Sequence, residues 1–465
     1  MKIVMCASEV VPFAKTGGLA DVAGALPAAL EKAGHEVIVV MPGYKMVHAK
    51  AGLGIKQVRD GLSAATLGKA VKVYFIDHDF YFGRDALYGD KSGDYIDNID
   101  RFSYFCRRTL DLLKEINFKA DIIHCHDWQS ALVPVYMRSM TYSTDPFYKG
   151  MRTVFTIHNI GYQGLFSKDE FPKLGLSWSF FGVEALEYYD RINCLKGGIM
   201  FSDVINTVSD TYSKEIRTKE FGFGMEGVLD HRKDSLFGII NGLDYSIWDP
   251  AVDTFIAEKF SAQDPAGKAA CKEDLQKLCK FPVKKNVPLI GVVSRLAQQK
   301  GFDIVAEGID RMCRMSLQMV ILGTGDAKYH EIMEKMIKKY PKVISLHLKF
   351  DDALAHKIYA GSDIFLMPSR YEPCGLGQMI SMKYGTLPLV FKTGGLADTV
   401  DASNGFVFGT YSADELLKTV KKALSAYESA DKWKKLVAAA MRCDFSWSES
   451  AKKYIQLYEK ARKKI

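Results

Sequence analysis

The sequence predicts an α/β protein of two domains, each built as a parallel sheet covered by helices. Its 465 residues exceed what one ordinary hydrophobic core organises, so two domains are expected. Short apolar runs alternate with amphipathic stretches along the chain, which is the pattern of parallel sheets. The motif Lys-Thr-Gly-Gly-Leu-Ala-Asp occurs at residues 15–21 and again at 392–398, each time beyond a strand-like run. This repetition indicates two similar domains.

The apolar runs predict the following elements in order. Strands of the first half are expected at residues 3–7, 36–41, 71–76, 121–124, 153–157, 204–207 and 238–240. Strands of the second half are expected at residues 289–293, 318–322, 343–346, 364–367 and 387–391. Helix-like stretches lie between them, among them residues 19–33, 98–115 and 413–426. Turn residues cluster at 241–250, so the domain boundary is expected there.

Composition and charge exclude several classes of protein. The chain is 48% hydrophobic and 25% charged, which is ordinary for a globular protein. The net charge of +7 suits anionic ligands, but no basic run carries interleaved aromatics, which argues against nucleic-acid binding. The nine cysteines are scattered without a Cys-x-x-Cys pair, as in a reduced cytoplasmic protein. No signal peptide or membrane-spanning run is predicted.

The repeated motif has the composition of an anion site. Glycine lets the backbone approach a ligand closely and adopt positive φ. Free N–H groups at such a turn, where a helix begins, attract negative charge, and each copy adds a lysine and a hydroxyl. We therefore expect a negatively charged ligand held between the two domains. Because ligands of doubly wound sheets bind beyond the carboxyl ends of strands, other functional residues should also follow strands.

Two motifs of the second half follow strands in this way. Arg295 and Lys300 flank a short loop after residues 289–293 and can clamp a diphosphate, although two surface cations would also explain them. Glu372 follows residues 364–367 and precedes Pro, Gly and a helix start. Its carboxylate can meet a sugar while the backbone N–H groups hold hydroxyls or phosphate. The alternative is an acid that only caps the helix.

Two motifs of the first half raise the question of a metal, and a third places another histidine directly after a strand. His124 and His126 share one face of a strand, but no second Cys/His cluster follows at zinc spacing. Asp127 is therefore the expected functional group of that motif. The Asp-x-Asp at residues 77–79 resembles a metal motif of sugar transferases, but the sequence after it favours a loop. His158 follows residues 153–157 and is either functional or a structural histidine. No metal site is predicted.

Together these motifs resemble the bacterial glycogen synthase family, which includes plant starch synthases. The resemblance covers nearly the whole chain, at residues 15–19, 126–128, 156–164, 238–244, 294–301, 368–378 and 392–399. It implies a GT-B fold, in which two Rossmann-like doubly wound domains face each other across a deep cleft. Residues 1–243 would form the acceptor-side domain, 244–445 the nucleotide-sugar domain, and 446–465 a helix crossing back to the first domain.

The resemblance also implies a reaction and its residues. Glucose would pass from ADP-glucose to the non-reducing end of an α-1,4-glucan, with retention and without a metal or another cofactor. The implied catalytic residues are Glu372, Arg295, Lys300, His158 and Asp127. The implied donor contacts are Lys15, Gly17, Gly18, Asn241, Phe350, Cys374, Gly375, Leu376, Thr393, Gly394 and Gly395. The acceptor-side candidates are Glu9, Asp21 and Tyr95. In one departure, Gly377 stands where many relatives carry Thr.

Two other functions remain open from the sequence. One is another retaining GT-B glucosyltransferase, such as a sucrose- or trehalose-forming enzyme. The glycine turn after Lys15 and the pair of Asp127 with Trp128 argue against it. A non-catalytic glucan-binding or priming homologue would keep the fold and lose charged residues. Here all the charged residues named above are present, which favours catalysis.

Overall fold

Two compact units make up the chain. The computed structural model describes residues 1–464. One unit comprises Met1–Gly242 together with the chain from Trp447 onward, and the other comprises Leu243–Ser446. The chain therefore passes from one unit to the other twice, after Gly242 and after Ser446.

The first unit is organised by a nine-stranded sheet. Its strands lie in the order Leu236–Gly238, Val204–Thr207, Arg152–Ile157, Ile122–His126, Lys2–Cys6, Glu36–Pro42, Val71–Ile76, Leu62–Leu67 and Lys56–Arg59. The first seven pair in parallel, as the apolar runs predicted, and the last two continue the sheet antiparallel. The sequence analysis predicted neither of these two strands; Lys56–Arg59 is an exposed edge without an apolar run.

Helices and short strands complete the first unit. Its helices are Gly18–Lys32, Lys45–Ala49, Asp79–Phe82, Asn98–Glu115, Asp127–Ser130, Leu132–Arg138, Met140–Ser143, Cys194–Phe201, Asp210–Glu215, Glu226–His231 and Trp447–Lys463. Its 3-10 turns are Lys168–Leu174, Trp178–Phe180 and Lys233–Ser235. Small antiparallel ribbons are formed by Gly89–Asp90 with Gly93–Asp94, and by Arg191–Asn193 with Leu165–Ser167 and Glu187–Tyr188.

A six-stranded parallel sheet organises the second unit. Its order is Ile344–His347, Gln318–Leu322, Leu289–Val293, Ile364–Met367, Leu387–Phe391 and Phe406–Phe408. The helices are Gly267–Leu278, Phe302–Cys313, Ala327–Lys339, Asp352–Gly361, Gly377–Lys383, Gly394–Thr399, Ala413–Tyr427 and Ala430–Arg442, with a 3-10 turn at Gln298–Lys300. Only the three-residue edge strand Phe406–Phe408 was not predicted, because so short a run carries no periodic signal.

Two local predictions were wrong. The strand expected at 238–240 lies at Leu236–Gly238, because Gly238 pairs with Thr207 and the chain turns immediately after it. The loop expected after Asp77 begins a one-turn helix, Asp79–Phe82, because the ring nitrogen Nδ1 of His78 accepts the backbone N–H of Tyr81 at 3.3 Å.

Parallel pairing puts the carboxyl ends of neighbouring strands at one edge of each sheet. The helix Gly18–Lys32 follows the strand Lys2–Cys6, and the helix Gly394–Thr399 follows the strand Leu387–Phe391. Each copy of the repeated motif therefore lies at such an edge, in its own unit. No helix within residues 1–464 combines the length and hydropathy needed to cross a bilayer.

Candidate active site

A cavity of about 200 Å³ in the second unit lies beyond the carboxyl ends of two neighbouring strands, Leu289–Val293 and Ile364–Met367. Four of the residues expected on the donor side line it: Arg295, Lys300, Glu372 and Leu376. The sequence separates the first two from the last two by about seventy positions, and parallel pairing of the strands brings them together.

Two of the lining residues, Lys300 and Glu372, form an ion pair. The ammonium Nζ of Lys300 donates to Oε2 of Glu372 at 2.6 Å, and the side chains are 19% and 9% exposed. The hydroxyl of Ser369 also donates to Oε2, at 2.9 Å. The other oxygen, Oε1, has no hydrogen-bond partner within residues 1–464. The carboxylate is thus anchored through one oxygen and can accept a ligand hydroxyl at the other.

Gly301 explains how Lys300 reaches this position. It has φ of 82°, and a Cβ there would overlap the carbonyl oxygen of Pro368. Only glycine lets the backbone beyond Lys300 turn this closely against the loop that leads to Glu372. Arg295, on the same loop, is exposed, and within residues 1–464 its guanidinium bonds only to Gln299, from Nη2 to Oε1 at 3.2 Å. The remaining guanidinium N–H groups are therefore able to bind an anion.

The second glycine turn supports the Glu372 loop. A Cβ at Gly394, which has φ of 42°, would overlap the carbonyl oxygen of Glu372, and one at Gly395 would overlap that of Cys374. The N–H of Gly395 donates to the carbonyls of Glu372 at 3.2 Å and Pro373 at 3.1 Å. This turn, whose Thr393 is buried, therefore packs directly against the loop carrying the carboxylate.

The helix after that loop begins at Gly377, the position at which the family resemblance implies Thr. Gly375 has φ of 70°, and the side-chain amide of Gln378 donates to the carbonyls of Cys374 and Gly375, each at 3.1 Å. A Cβ at Gly377 would lie 2.8 Å from Cε1 of Phe365. The aromatic ring therefore takes the space that a threonine side chain would need.

The first glycine turn, in the other unit, is occupied by a carboxylate of its own chain. Glu9 accepts the backbone N–H of Thr16, its hydroxyl at 2.6 Å, and the N–H of Gly17 at 3.2 Å. Tyr88 also donates its hydroxyl to Glu9, at 2.7 Å. The carboxylate of Glu9, which was expected on the acceptor side, thus occupies the hydrogen-bond donors of this turn. Gly17 and Gly18 are both exposed.

Lys15 and Asp21, one on each side of this turn, pair with each other. The Nζ of Lys15 lies 2.7 Å from Oδ1 of Asp21, and the lysine side chain is 54% exposed. Burial raises the pKa of the Asp21 carboxyl above its ordinary value, against the opposing effect of the lysine. The lysine ammonium is therefore held at the exposed glycine turn.

Asp127 and His158 lie together at the ends of adjacent strands. Oδ1 of Asp127 accepts the backbone N–H of His158 at 2.8 Å. Asp127 has φ of 53°, a backbone conformation that costs free energy in a residue other than glycine and is found preferentially at functional sites. Burial raises the pKa of its carboxyl to about 7 and lowers the pKa of His158 to about 3. The histidine is therefore neutral at physiological pH.

His124 and His126 are bound within the fold. His124 contacts the hydroxyls of Tyr458 and Thr156, and His126 contacts His158. Within the described chain, no group of three or more His, Cys, Asp or Glu side chains is arranged to hold a metal ion. Sequence reasoning missed Tyr458, because no local pattern links a residue of the last helix to a strand 334 positions earlier.

A second cavity of about 600 Å³ lies in the first unit near Asp127 and is rich in aromatic side chains. Its aromatic lining residues are Tyr95, Trp128, Tyr162, Phe166, Tyr188 and Phe223. Phe223 has φ of 50° and is 54% exposed, and its carbonyl accepts the side-chain amide of Gln163 at 3.0 Å. Of these, the sequence analysis named only Tyr95 as a candidate; for Tyr162 and Phe223 the one local signal is an aromatic residue beside glycine.

The two remaining donor candidates lie outside both cavities. Asn241 is buried, and its Oδ1 has no hydrogen-bond partner within residues 1–464. Phe350 is 91% exposed, which leaves its ring available to a ligand. An unpaired buried amide oxygen is costly, so Asn241 is the stronger indication of a missing partner.

Two protein families match consecutive parts of the chain. Residues 2–231 match the starch synthase catalytic domain, and residues 276–438 match the glycosyl transferases group 1. A glycogen synthase of Geotalea uraniireducens is 48% identical over 99% of both chains. A glycogen synthase of Thermotoga petrophila is 45% identical over the full length of both.

Solved structures give the same result. The catalytic domain of starch synthase IV from Arabidopsis thaliana, bound to ADP and acarbose, superposes with a TM-score of 0.87 at 35% identity over 99% of both chains. A sucrose-phosphate synthase from Thermosynechococcus elongatus has a TM-score of 0.61 at 16% identity, over 99% of this chain and 98% of that one. The second match establishes the shared GT-B fold alone.

Proposed function

This chain belongs to the glycogen and starch synthase family of glycosyltransferases, and we propose that it transfers glucose from ADP-glucose to an α-1,4-glucan. Glucose is added at the non-reducing end with retention at the anomeric carbon, and ADP is released. The observation that carries this proposal is the cavity in which Arg295, Lys300 and Glu372 converge. The nine unpaired cysteines fit a cytoplasmic location.

The two cations of the cavity serve the diphosphate. Arg295 offers free guanidinium N–H groups and Lys300 a half-buried ammonium, so together they bind the two phosphates. Both stabilise the negative charge that grows on ADP as the bond to glucose breaks. Oε1 of Glu372 accepts a hydroxyl of the donor glucose, and its charge stabilises the developing oxocarbenium ion.

The carboxylates available in the cavity favour a front-face route, in which the acceptor attacks the anomeric carbon from the side that ADP leaves and the configuration is retained. A double displacement needs two carboxylates about 5 Å apart, one of them a nucleophile. Glu372 is the only acid among the residues lining this cavity. In the proposed route, the bond from the anomeric carbon to phosphate breaks as the acceptor hydroxyl oxygen bonds to that carbon. The departing phosphate takes the hydroxyl proton, so the reaction needs no second carboxylate.

The aromatic cavity of the first unit is the proposed acceptor region. Aromatic faces present apolar surface to sugar rings, and Tyr95 and Trp128 line the cavity beside Asp127. The family resemblance implies further donor contacts, at Lys15, Gly17, Gly18, Asn241, Phe350, Cys374, Gly375, Leu376, Thr393, Gly394 and Gly395.

One assay tests the reaction directly. Purified protein is incubated with glycogen and either ADP-glucose or UDP-glucose, with EDTA present, and incorporation of labelled glucose is measured. We expect labelled glucose to be incorporated from ADP-glucose. An α-1,4-specific amylase should release the label, which reports the linkage formed. Absence of incorporation from both donors, or activity only after Mg²⁺ or Mn²⁺ is added, would contradict the proposal.

Substitutions at the two cations test the diphosphate site. Arg295→Ala and Lys300→Ala should each lower kcat/KM by a factor of a hundred or more, or about 3 kcal/mol, as when an oxyanion-hole donor is lost. Arg311→Ala is the matched control, because Arg311 pairs with Asp414 at the surface of the same unit. Near-normal turnover in both site variants would disprove the assignment.

Substitutions of Glu372 and Asp127 should affect different kinetic constants. Glu372→Gln should lower kcat by orders of magnitude with a modest effect on the KM for ADP-glucose, because its charge matters most in the transition state. Asp127→Asn should alter glucan-dependent kinetics and leave calorimetric ADP binding intact. Loss of ADP binding in Asp127→Asn, or a wild-type kcat in Glu372→Gln, would show that the two-sided assignment is wrong.

A further inference from the structure

We infer that His126 determines which ring nitrogen of His158 carries its proton, and that Tyr458 of the last helix holds this arrangement through His124. His126, His124 and Tyr458 are therefore positioning residues for His158. His124, His126 and His158, here called the histidine column, extend from the interior of the first unit to the region of Asp127. His124 connects the column to the last helix through a hydrogen bond to Tyr458 and ring contacts with Tyr454 and Tyr458.

The proton of His124 can be assigned from its neighbours. The hydroxyl of Thr156 donates to Oδ1 of Asn206 at 2.7 Å, so its hydrogen is already used. Nε2 of His124, at 2.6 Å from the same hydroxyl oxygen, must therefore donate to it. Burial lowers the pKa of His124 to about 3, so the ring is neutral and its Nδ1 is an acceptor. Nδ1 then accepts the hydroxyl of Tyr458 at 2.9 Å.

The ring of His124 in turn packs against His126. Their centroids lie 4.1 Å apart with an angle of 38° between the planes. Both rings are fully buried, so neither can turn without displacing the other. The hydroxyl of Tyr458, by fixing the ring of His124, therefore also limits the orientation of His126.

The contact between His126 and His158 has only one inexpensive arrangement. Nδ1 of His126 lies 3.0 Å from Nε2 of His158, so one of the two nitrogens donates. Nε2 of His126 is fully buried and has no hydrogen-bond partner within residues 1–464. If His126 carried its proton there, a buried N–H would be left unpaired, and burial of an unpaired donor is rarer than that of an acceptor. The proton therefore lies on Nδ1 of His126 and is donated to His158.

This donation determines what His158 can offer a ligand. Burial keeps His158 neutral, and its Nε2 is occupied as an acceptor, so its own proton lies on Nδ1. Nδ1 makes no hydrogen bond within residues 1–464 and is not among the fully buried unpaired atoms. His158 thus presents a neutral N–H donor, suited to a sugar hydroxyl or a carbonyl-like oxygen and unsuited to accept a proton.

A pair of substitutions at His126 tests the arrangement. Asn places an amide N–H close to where Nδ1 of histidine stands, whereas Leu has a similar size and no donor. Histidine-labelled protein is examined by long-range ¹H–¹⁵N correlation, which reports the protonated ring nitrogen, and His158→Gln identifies the resonance of His158. We expect His158 protonated at Nδ1 in the wild type and in His126→Asn, and a shift toward Nε2 in His126→Leu.

Kinetics of the same variants add the functional readout, which rests on the proposed function. His126→Leu should lower kcat at least tenfold with little change in the KM for ADP-glucose, and His126→Asn should restore most of it. Protonation of wild-type His158 at Nε2, or an unchanged tautomer in a folded His126→Leu, would overturn the inference. If the leucine variant does not fold, the wild-type spectrum still shows which ring nitrogen of His158 is protonated and so tests the inference. Because the spectrum requires no turnover, failure of the proposed reaction remains distinguishable.

The role of Tyr458 is tested by removing only its hydroxyl. Tyr458→Phe should alter the ¹⁵N shifts of His124 and His158 and lower kcat severalfold. Tyr148→Phe is the matched control, because Tyr148 is buried in the same unit and donates its hydroxyl to the carbonyl of Leu110 at 3.0 Å. If Tyr458→Phe has the spectra and kcat of this control, the last helix does not position His158.

Discussion

The two copies of Lys-Thr-Gly-Gly-Leu-Ala-Asp have the same sequence and different surroundings. At residues 15–18 the first copy is exposed, and a Cβ added to Gly17 or Gly18 would meet no atom within 4 Å. In the second copy Gly394 and Gly395 are buried, and an added Cβ would overlap the carbonyl oxygens of Glu372 and Cys374. The same glycines are thus optional for packing in one unit and required in the other.

The polar contacts of the two copies also differ. The first turn gives two backbone N–H groups to the carboxylate of Glu9, a side chain from the preceding loop. The second turn gives the N–H of Gly395 to backbone carbonyls of the loop that carries Glu372. The first copy therefore binds an anionic side chain at an open surface, and the second positions a proposed catalytic loop. A shared motif indicates a shared local turn, and its neighbours decide its role.

The largest expected effect comes from the matched substitutions Gly395→Ala and Gly18→Ala. The methyl group at 395 would overlap the backbone of Cys374, which cannot move without displacing the Glu372 loop. The free energy of unfolding should fall by about 3 kcal/mol or more. Residue 18 is the first residue of a helix, so alanine there should raise the free energy of unfolding, by less than about 1 kcal/mol. Urea unfolding of both variants measures the difference, and equal effects would break the comparison.

A smaller effect is expected at the carboxylate of the first turn. Glu9→Leu removes the acceptor for two backbone N–H groups and the hydroxyls of Thr16 and Tyr88. Stability should fall by about 2 kcal/mol, because these partly buried donors lose hydrogen bonds to a charged acceptor. Glu9→Gln, which keeps an oxygen for the amides, should retain most of it. Thermal melts and hydrogen exchange at Thr16 and Gly17 report both variants; unchanged exchange in the leucine variant would contradict this account.

The smallest effect on stability is expected at the two motif lysines. Lys15 makes an exposed ion pair with Asp21, and Lys392 makes no ion pair within the described part of the chain. Alanine at either position should change the free energy of unfolding by at most about 1 kcal/mol. Activity should separate them, because Lys15→Ala loses a proposed donor contact and should raise the KM for ADP-glucose. Equal KM values in both variants would remove Lys15 from the donor site.

The candidate site was partly predictable. Arg295, Lys300 and Glu372 were predicted as site residues because each follows a strand, and the parallel sheet brings them to one cavity. Their partners were not predictable: Ser369, which donates to Glu372, has no distinctive spacing, and Tyr458 is remote in sequence from His124. Glu9 was predicted near the acceptor, and its contact with the first turn required the loop's path in three dimensions.

The sequence by itself determined the α/β class, the order of the strands along the chain, and membership of the glycogen and starch synthase family. These follow from local periodicity and from short motifs, which neighbouring residues carry. Only the tertiary structure decided which glycine turn is buried, which oxygen of Glu372 is bonded to Lys300 and Ser369, and which side chains the histidine column contacts. Such features depend on hydrogen bonds and packing between distant segments, and no local pattern encodes which atoms meet.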